Sequence, residues 1–192
     1  MFIAPEETRT DRFVIRCFRI GEGVRVRPVV QESLDHLQEF MPWPDARQTD
    51  EQAEAVIRGF QAAYRTGKDF TMTVQTPDEA ELIGGTGFHL RGLPPEHKTA
   101  EIGMWIAQKH AGAGLGRAVL KEMLRWGFED WGWLRLTWHC DARNIASERC
   151  AQAAGMVLES TQKGAYDPVS KGRCDIRIYR MLRPEWDALQ GA

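Results

Sequence analysis

A chain of 192 residues with a formal net charge of −2 and 43% hydrophobic residues can bury one sizeable core, and it lacks the basic stripe that nucleic-acid binding needs. Its four cysteines, Cys17, Cys140, Cys150 and Cys174, show no C-x-x-C spacing, which argues against a disulfide scaffold; His139-Cys140 is half a metal site with no second pair at ligand spacing, so no metal is expected. No stretch approaches the roughly 18 apolar residues of a membrane span and the first ten residues lack a secretion signal, so the expectation is a single cytoplasmic domain over residues 1–192, with no membrane partner.

Residues 12–19 and 24–27 read as one or two opening strands. Ser33 is placed to cap a short helix over 33–40, which Met41-Pro42-Trp43-Pro44 ends because two prolines cannot continue it. Thr49 and Gln52 form a capping box for the next helix, whose apolar face is Ala53, Val56, Ile57, Phe60 and Tyr64 and whose end is Gly67. Phe70, Met72 and Val74 alternate with polar residues as a half-buried strand; a turn at Pro77, Asp78 and Glu79 leads to a returning strand over 82–90. After the loop at 91–97 come a strand over 99–107, a glycine turn, a helix running to Glu129, a strand over 134–140, a helix over 144–154, and closing strands over 156–160 and 173–182. Strands alternating with helices in the centre and hairpins outside imply an α+β fold with a mixed, mostly antiparallel sheet flanked by helices.

The glycine turn is the most informative stretch. Gly112, Gly114 and Gly116 alternate with small or apolar residues, so the backbone can turn tightly and present unobstructed N–H groups. The helix opening at Leu115 aims its N-terminal partial charge at the same point, and a pyrophosphate fits there. A nucleotide P-loop would close on Gly-Lys-Ser/Thr, and a dinucleotide fingerprint needs G-x-G-x-x-G with an acidic residue about 20 positions on. Gly112-Ala113-Gly114-Leu115-Gly116-Arg117 is neither. From Ala111 to Gly116 it resembles the acetyl-CoA loop of the GNAT superfamily of N-acetyltransferases, Gln/Arg-x-x-Gly-x-Gly/Ala, with Ala111 standing where Gln or Arg is usual. A plain strand-to-helix turn would use the same glycines.

Further motifs, met in order along the chain, extend the resemblance to the RimJ/RimL subgroup, which acetylates ribosomal-protein N-termini. They are residues 10–16, Met41-Pro42-Trp43, the strand from Glu101 to Ile106, Asn144-Ile145-Ala146-Ser147, Gly155-Met156, residues 175–179 and Pro184-Glu185-Trp186. The resemblance implies the GNAT fold, acetyl-CoA as co-substrate, and direct attack by a primary amine in a ternary complex, with a protein or peptide N-terminal α-amine as the leading acceptor. It also implies cofactor contacts from Met104, Trp105 and Ile106, on a strand that splays from its parallel neighbour through a bulge, from Ala111 to Arg117, and from Asn144 and Ser147. Ser147 would give a proton to the departing thiolate; the Tyr that many GNAT enzymes place four residues later is Ala151 here. The same residues also suit a core tryptophan, an N-cap asparagine and a helix-surface serine.

An amine attacks only when neutral. At pH 7, stripping a lysine amine of pKa about 10.4 costs about 4.6 kcal/mol, against about 1 for an α-amine near 7.8. No histidine is placed by motif beside the cofactor strand, His97 lying in a loop and His110 in the turn. Glu101 is therefore the candidate base and amine-holding group, although an exposed strand-end charge reads identically. Trp43 and Tyr166, the latter in the loop over 163–173, are candidate walls of the acceptor site. Two rival readings stay open: acetylation of a small amine such as a polyamine, amino acid or aminoglycoside, and an acyl-CoA-binding protein without turnover, to which Ala111 and Ala151 point. The family's habits and the tryptophan-rich stretch 126–133 suggest a homodimer, and packing of a helix explains those tryptophans equally.

Overall fold

The computed structural model describes residues 3–166 and 172–191. Eight strands, β1 Glu7–Arg9, β2 Val14–Cys17, β3 Phe70–Gln75, β4 Leu82–His89, β5 Thr99–Ile106, β6 Arg135–Asp141, β7 Val157–Tyr166 and β8 Cys174–Leu182, form one sheet. Its order is β1-β2-β3-β4-β5-β6-β8-β7. Every ladder is antiparallel except β5 with β6. That parallel pair needs a crossover, which α4, Leu115–Glu129, supplies. The other helices are α1 Gly23–Glu32, α2 Leu34–Gln38, α3 Asp50–Arg65, α5 Ile145–Ala153 and α6 Arg183–Gln190.

The period-two pattern of the strands decides which face each residue serves. Phe70, Met72 and Val74 of β3, Ala100 and Ile102 of β5 and Leu136 of β6 join Val119, Leu120, Met123 and Leu124 of α4 in one buried cluster. Arg16 and Phe18 point the other way, where Arg16 meets Glu22 at the start of α1 and Phe18 packs on Phe60 of α3, ring centroids 5.6 Å apart. The sheet is thus covered by α4 on one face and by α1 and α3 on the other. Trp126, Trp131 and Trp133 pack with one another at centroid distances of 5.4 and 5.8 Å, and all are buried. They fill the core, and core packing accounts for these tryptophans.

Local signals act as expected where they are strong. Thr49 and Gln52 close the capping box of α3, and Gly67 ends it at φ +67°, with Gly67 N–H donating to Tyr64 O and Lys68 N–H to Ala63 O. Three expectations are corrected. Residues 24–27 lie in helix α1, not a strand, because Glu54 of α3 accepts the N–H groups of Gly21 and Gly23 and the two helices pack so closely that a Cβ on Gly23 would lie 2.5 Å from Glu54 N. Ser33 caps nothing with its side chain: it is buried between α1 and α2, and its Oγ accepts the N–H of Gln108 at 3.0 Å. Val56 is exposed, the inward face of α3 being Ala53, Ile57 and Tyr64. Strand β1 and helix α6 were not anticipated from periodicity. Helix α6 seats Trp186 on Phe128 at 5.7 Å.

Candidate active site

The β5–β6 pairing covers only Thr99–Arg135, Ala100–Leu136 and Glu101–Thr137. Beyond Glu101 the two strands part, although β6 stays paired with β8 as far as Asp141 and β5 with β4 as far as Ile106. A slot therefore opens inside the sheet, with the free edge of residues 102–106 along one side. The expected splay is present without a bulge in β5, because its register with β4 runs unbroken from His89–Glu101 to Gly84–Ile106. The register shift lies one strand further out, between Val74 and Gln75 of the β3–β4 ladder, with Ile83 left between the pairs on either side.

Alternation sends the side chains of the slot to two faces. Met104 and Ile106 point toward the first turn of α4, where a Cβ on Gly116 would lie 3.5 and 3.8 Å from them. On that face too, Trp138 Nε1 donates to Ser147 Oγ at 2.9 Å, while Asn144 Oδ1 accepts the Ser147 N–H at 3.0 Å and so caps α5. The serine oxygen already accepts one hydrogen bond, which leaves its O–H to donate. Ala151, where a tyrosine was excluded, is fully buried. Burial pushes the Cys140 thiol up to about 11, so it stays protonated at pH 7. His139 and Cys140 are consecutive on β6 and face opposite ways, so they do not converge as metal ligands.

The glycine turn closes the α4 end of the slot. Gly112 and Gly114 adopt φ +79° and +72°, and nothing stands within 4 Å of where a Cβ would be on either. Ala111 to Gly114 and Arg117 are exposed, and the N–H groups of Leu115, Gly116 and Arg117 open α4 with no intrahelical acceptor. Arg12 ties the turn to the β1–β2 connection by donating to Ala113 O at 3.1 Å.

The opposite face carries Glu101, Gly103 and Trp105 of β5 and His139 of β6. Trp43 lies over Trp105, centroids 5.9 Å apart, and is 49% exposed, so it forms the outer lip. The Trp105 indole has room because position 85 is glycine, where a Cβ would be 2.4 Å from its Nε1. Glu101 sits at the closed end of the slot. Arg91 Nε donates to its Oε2 at 2.8 Å and Nη2 to its Oε1, while His139 Nδ1 lies 3.3 Å from Oε2. Burial raises this carboxyl, yet Arg91 and His139 outweigh that and hold it below the usual carboxylate range. Burial lowers His139 by more than neighbouring Glu101 raises it, so its imidazole is neutral at pH 7.

A second imidazole stands beside Glu101. His89 is its register partner on β4, and His89 Nδ1 is 2.8 Å from Asp69 Oδ2. Sequence reasoning placed no histidine here, because partners across strands are distant in the chain. The alternation of β4 and β6 was the available signal, once the strand order was known. Of the expected site residues, Met104, Trp105, Ile106, Asn144 and Ser147 line the slot, Ala111 to Arg117 form the turn at its α4 end, and Glu101 and Trp43 lie on the opposite face. Tyr166 pairs through its backbone with Cys174, and its side chain lies outside the described residues.

The acetyltransferase (GNAT) domain model matches residues 24–157. The chain belongs to the GNAT acetyltransferase family. It is 27% identical over 160 residues to the ribosomal-protein-serine acetyltransferase of Escherichia coli (strain K12), covering 82% of this chain and 87% of that one. The ribosomal alpha-N-protein acetyltransferase RimL, solved in complex with coenzyme A, superposes with a TM-score of 0.82 at 19% identity over 94% of this chain and 99% of that one. The self-immunity acetyltransferase MccE, in complex with acetyl-CoA and AMP, gives 0.79 at 17% over 90% and 93%. These relatives support the RimJ/RimL-like assignment, and the GNAT fold with its split mixed sheet is what the ladders show. Among the described residues no helix is long and apolar enough to cross a membrane, and no group of three or more His, Cys, Asp or Glu is placed to hold a metal.

Proposed function

We propose that this GNAT enzyme binds acetyl-CoA in the slot between β5 and β6 and transfers its acetyl group to the α-amine of a protein or peptide N-terminus. The observation that carries the reading is the slot itself. Parting β5 from β6 leaves edge N–H and C=O groups over residues 102–106 for the amides of the pantetheine arm. The turn from Ala111 to Arg117 offers open N–H groups and a helix terminus to the pyrophosphate. Asn144 keeps its amide N–H₂ free for the same arm while its oxygen caps α5. The relatives' recorded substrates and ligands, a ribosomal protein, coenzyme A and acetyl-CoA, support the same reading.

The chemistry follows from the two faces. The acceptor approaches beside Trp43 and Trp105, where Glu101 favours a cationic amine. Its nitrogen attacks the thioester carbon, forming N–C. Collapse then breaks C–S toward the α5 face, where Ser147 O–H gives a proton to the thiolate and regains one from solvent, while the new amide nitrogen loses its surplus proton to water. An α-amine suits a site with no strongly basic side chain, since neutralising it costs about 1 kcal/mol at pH 7.

Isothermal titration with acetyl-CoA and CoA tests the cofactor, with Gly114→Trp as the blocked control. Micromolar binding by the wild type and a loss of at least tenfold in the variant is the expected result; no binding to either ligand would overturn the reading. Acetylation of N-terminal peptides, compared with free lysine and polyamines, then decides the acceptor. The small-amine reading would win if polyamines were preferred in kcat/KM.

A further inference from the structure

Glu101, the carboxylate on the acceptor face, is badly suited to taking a proton. Arg91 occupies both its oxygens, and His139 stands against one of them. Its negative charge is paired with Arg91.

His89 is built differently. Its Nδ1 faces Asp69 Oδ2 at 2.8 Å, and that carboxylate is fixed in turn by Leu90 N–H at 3.3 Å and Thr71 Oγ1 at 3.3 Å. An ionised carboxylate can only accept, so Nδ1 carries the proton and Nε2 is left with a lone pair. The ring lies across β5 in a space that two glycines clear for it. A Cβ on Gly103 would be 2.6 Å from Nε2, and one on Gly87 would be 3.0 Å from Cε1. Gly103 is the first position on this face beyond the last β5–β6 pair, so Nε2 stands over the mouth of the slot between Glu101 and Trp105. The side chain is 21% exposed, enough for a small group to reach it. The charged and titratable groups around it are Asp69, Arg91 just past β4, Glu101 on β5, and His139 across the slot on β6.

Resting on the acetyl-transfer reading above, we infer that His89 Nε2 is the general base that takes the proton from the acceptor ammonium, with Asp69 as the positioning residue that fixes its tautomer. The ammonium gives one proton to Nε2, and the neutral amine attacks the thioester carbon. As the tetrahedral intermediate loses the thiolate, a second nitrogen proton leaves. The thiolate becomes a thiol, and His89 returns its proton to solvent, so the turnover releases one proton. His139, neutral against Glu101, takes no proton from the amine.

The test is steady-state kinetics of the full chain with acetyl-CoA and a peptide bearing a free α-amine, from pH 6.5 to 9, for the wild type, His89→Gln, Asp69→Asn and His139→Gln. His89→Gln is expected to lower kcat/KM about a hundredfold at pH 6.5. The deficit should shrink to a few-fold at pH 9, where solvent has already neutralised the amine, and calorimetric affinity for acetyl-CoA should stay within twofold of the wild type. Asp69→Asn should lower kcat at least tenfold while KM for acetyl-CoA stays within twofold, because the Nδ1–H tautomer loses the acceptor that fixes it. His139→Gln should change kcat/KM by the same factor at pH 6.5 and pH 9, with no deficit that shrinks as the pH rises. If His89→Gln matches the wild type across the range, or if the pH-dependent loss follows His139 instead, the assignment is overturned. Absent wild-type turnover would overturn the functional reading itself, and that outcome is read from the wild type alone.

Discussion

Ser147 shows how one hydroxyl can be held in two ways at once. Its N–H is spent on the Asn144 cap and its oxygen accepts from Trp138 Nε1, so the O–H is what remains to donate, with the Cys140 thiol as its nearest neighbour. Ser147→Ala is expected to lower kcat about tenfold or more while KM for acetyl-CoA stays within about twofold. It should also cost about 1–3 kcal/mol of stability, because the buried Trp138 indole N–H loses its acceptor. Steady-state kinetics and thermal melting of the same preparation separate the two effects, and an unchanged kcat would remove Ser147 from the proton path. Asn144 and Ser147 could be read from the sequence because cap and hydroxyl are three residues apart. His89 and Glu101 are neighbours only through the β4–β5 ladder, and Asp69 reaches His89 across the β3–β4 hairpin, contacts that no local pattern encodes.

At the level of elements, the chain's punctuation is as informative as its periodicity. Thr49→Ala should remove the capping box of α3, costing about 1 kcal/mol and lowering Tm by about 2–4 °C in a chain of this size, with kcat unchanged. A melting curve indistinguishable from wild type would show that the box adds nothing to the tertiary packing of α3. Gly67 and Gly155 each end a helix at positive φ, with the following N–H reaching back into the last turn, and both ends were legible. Helix α1 was not. Val24 and Val26 alternate with Arg25 and Arg27 as a strand would, and Pro28 lies inside the helix. Packing against α3 overrides that pattern, and packing is a property of the partner's sequence, not of the segment's own. The slot was legible only through the resemblance, since parting two strands leaves no mark in their hydrophobic period.

Across the whole molecule, the face covered by α1 and α3 is pinned by charge. Arg16, 3% exposed, binds Glu22 at the start of α1 and Glu79 in the β3–β4 turn, so three separate segments meet on one guanidinium. The hydrogen bond from Arg16, with one from Arg9, pulls Glu79 down from 4.5 to about 2. A depressed carboxyl contributes stability that is complete above about pH 4.5 and lost as the pH falls toward about 2. Thermal melting should therefore show Tm falling across that window. Glu79→Gln should lower Tm at pH 7 and flatten the fall below 4.5; an equally steep fall in the variant would assign the acid sensitivity to other carboxylates. The sheet above this network is in effect a book of two leaves, β1 to β5 and β6 to β8, whose spine is three residue pairs and the α4 crossover. A spine that short leaves the outer part of the seam without backbone bonds between the leaves, so a molecule lodged there would bridge them. A co-substrate bound there, as proposed, would add to the stability of the folded chain by mass action, and Tm would rise with its concentration.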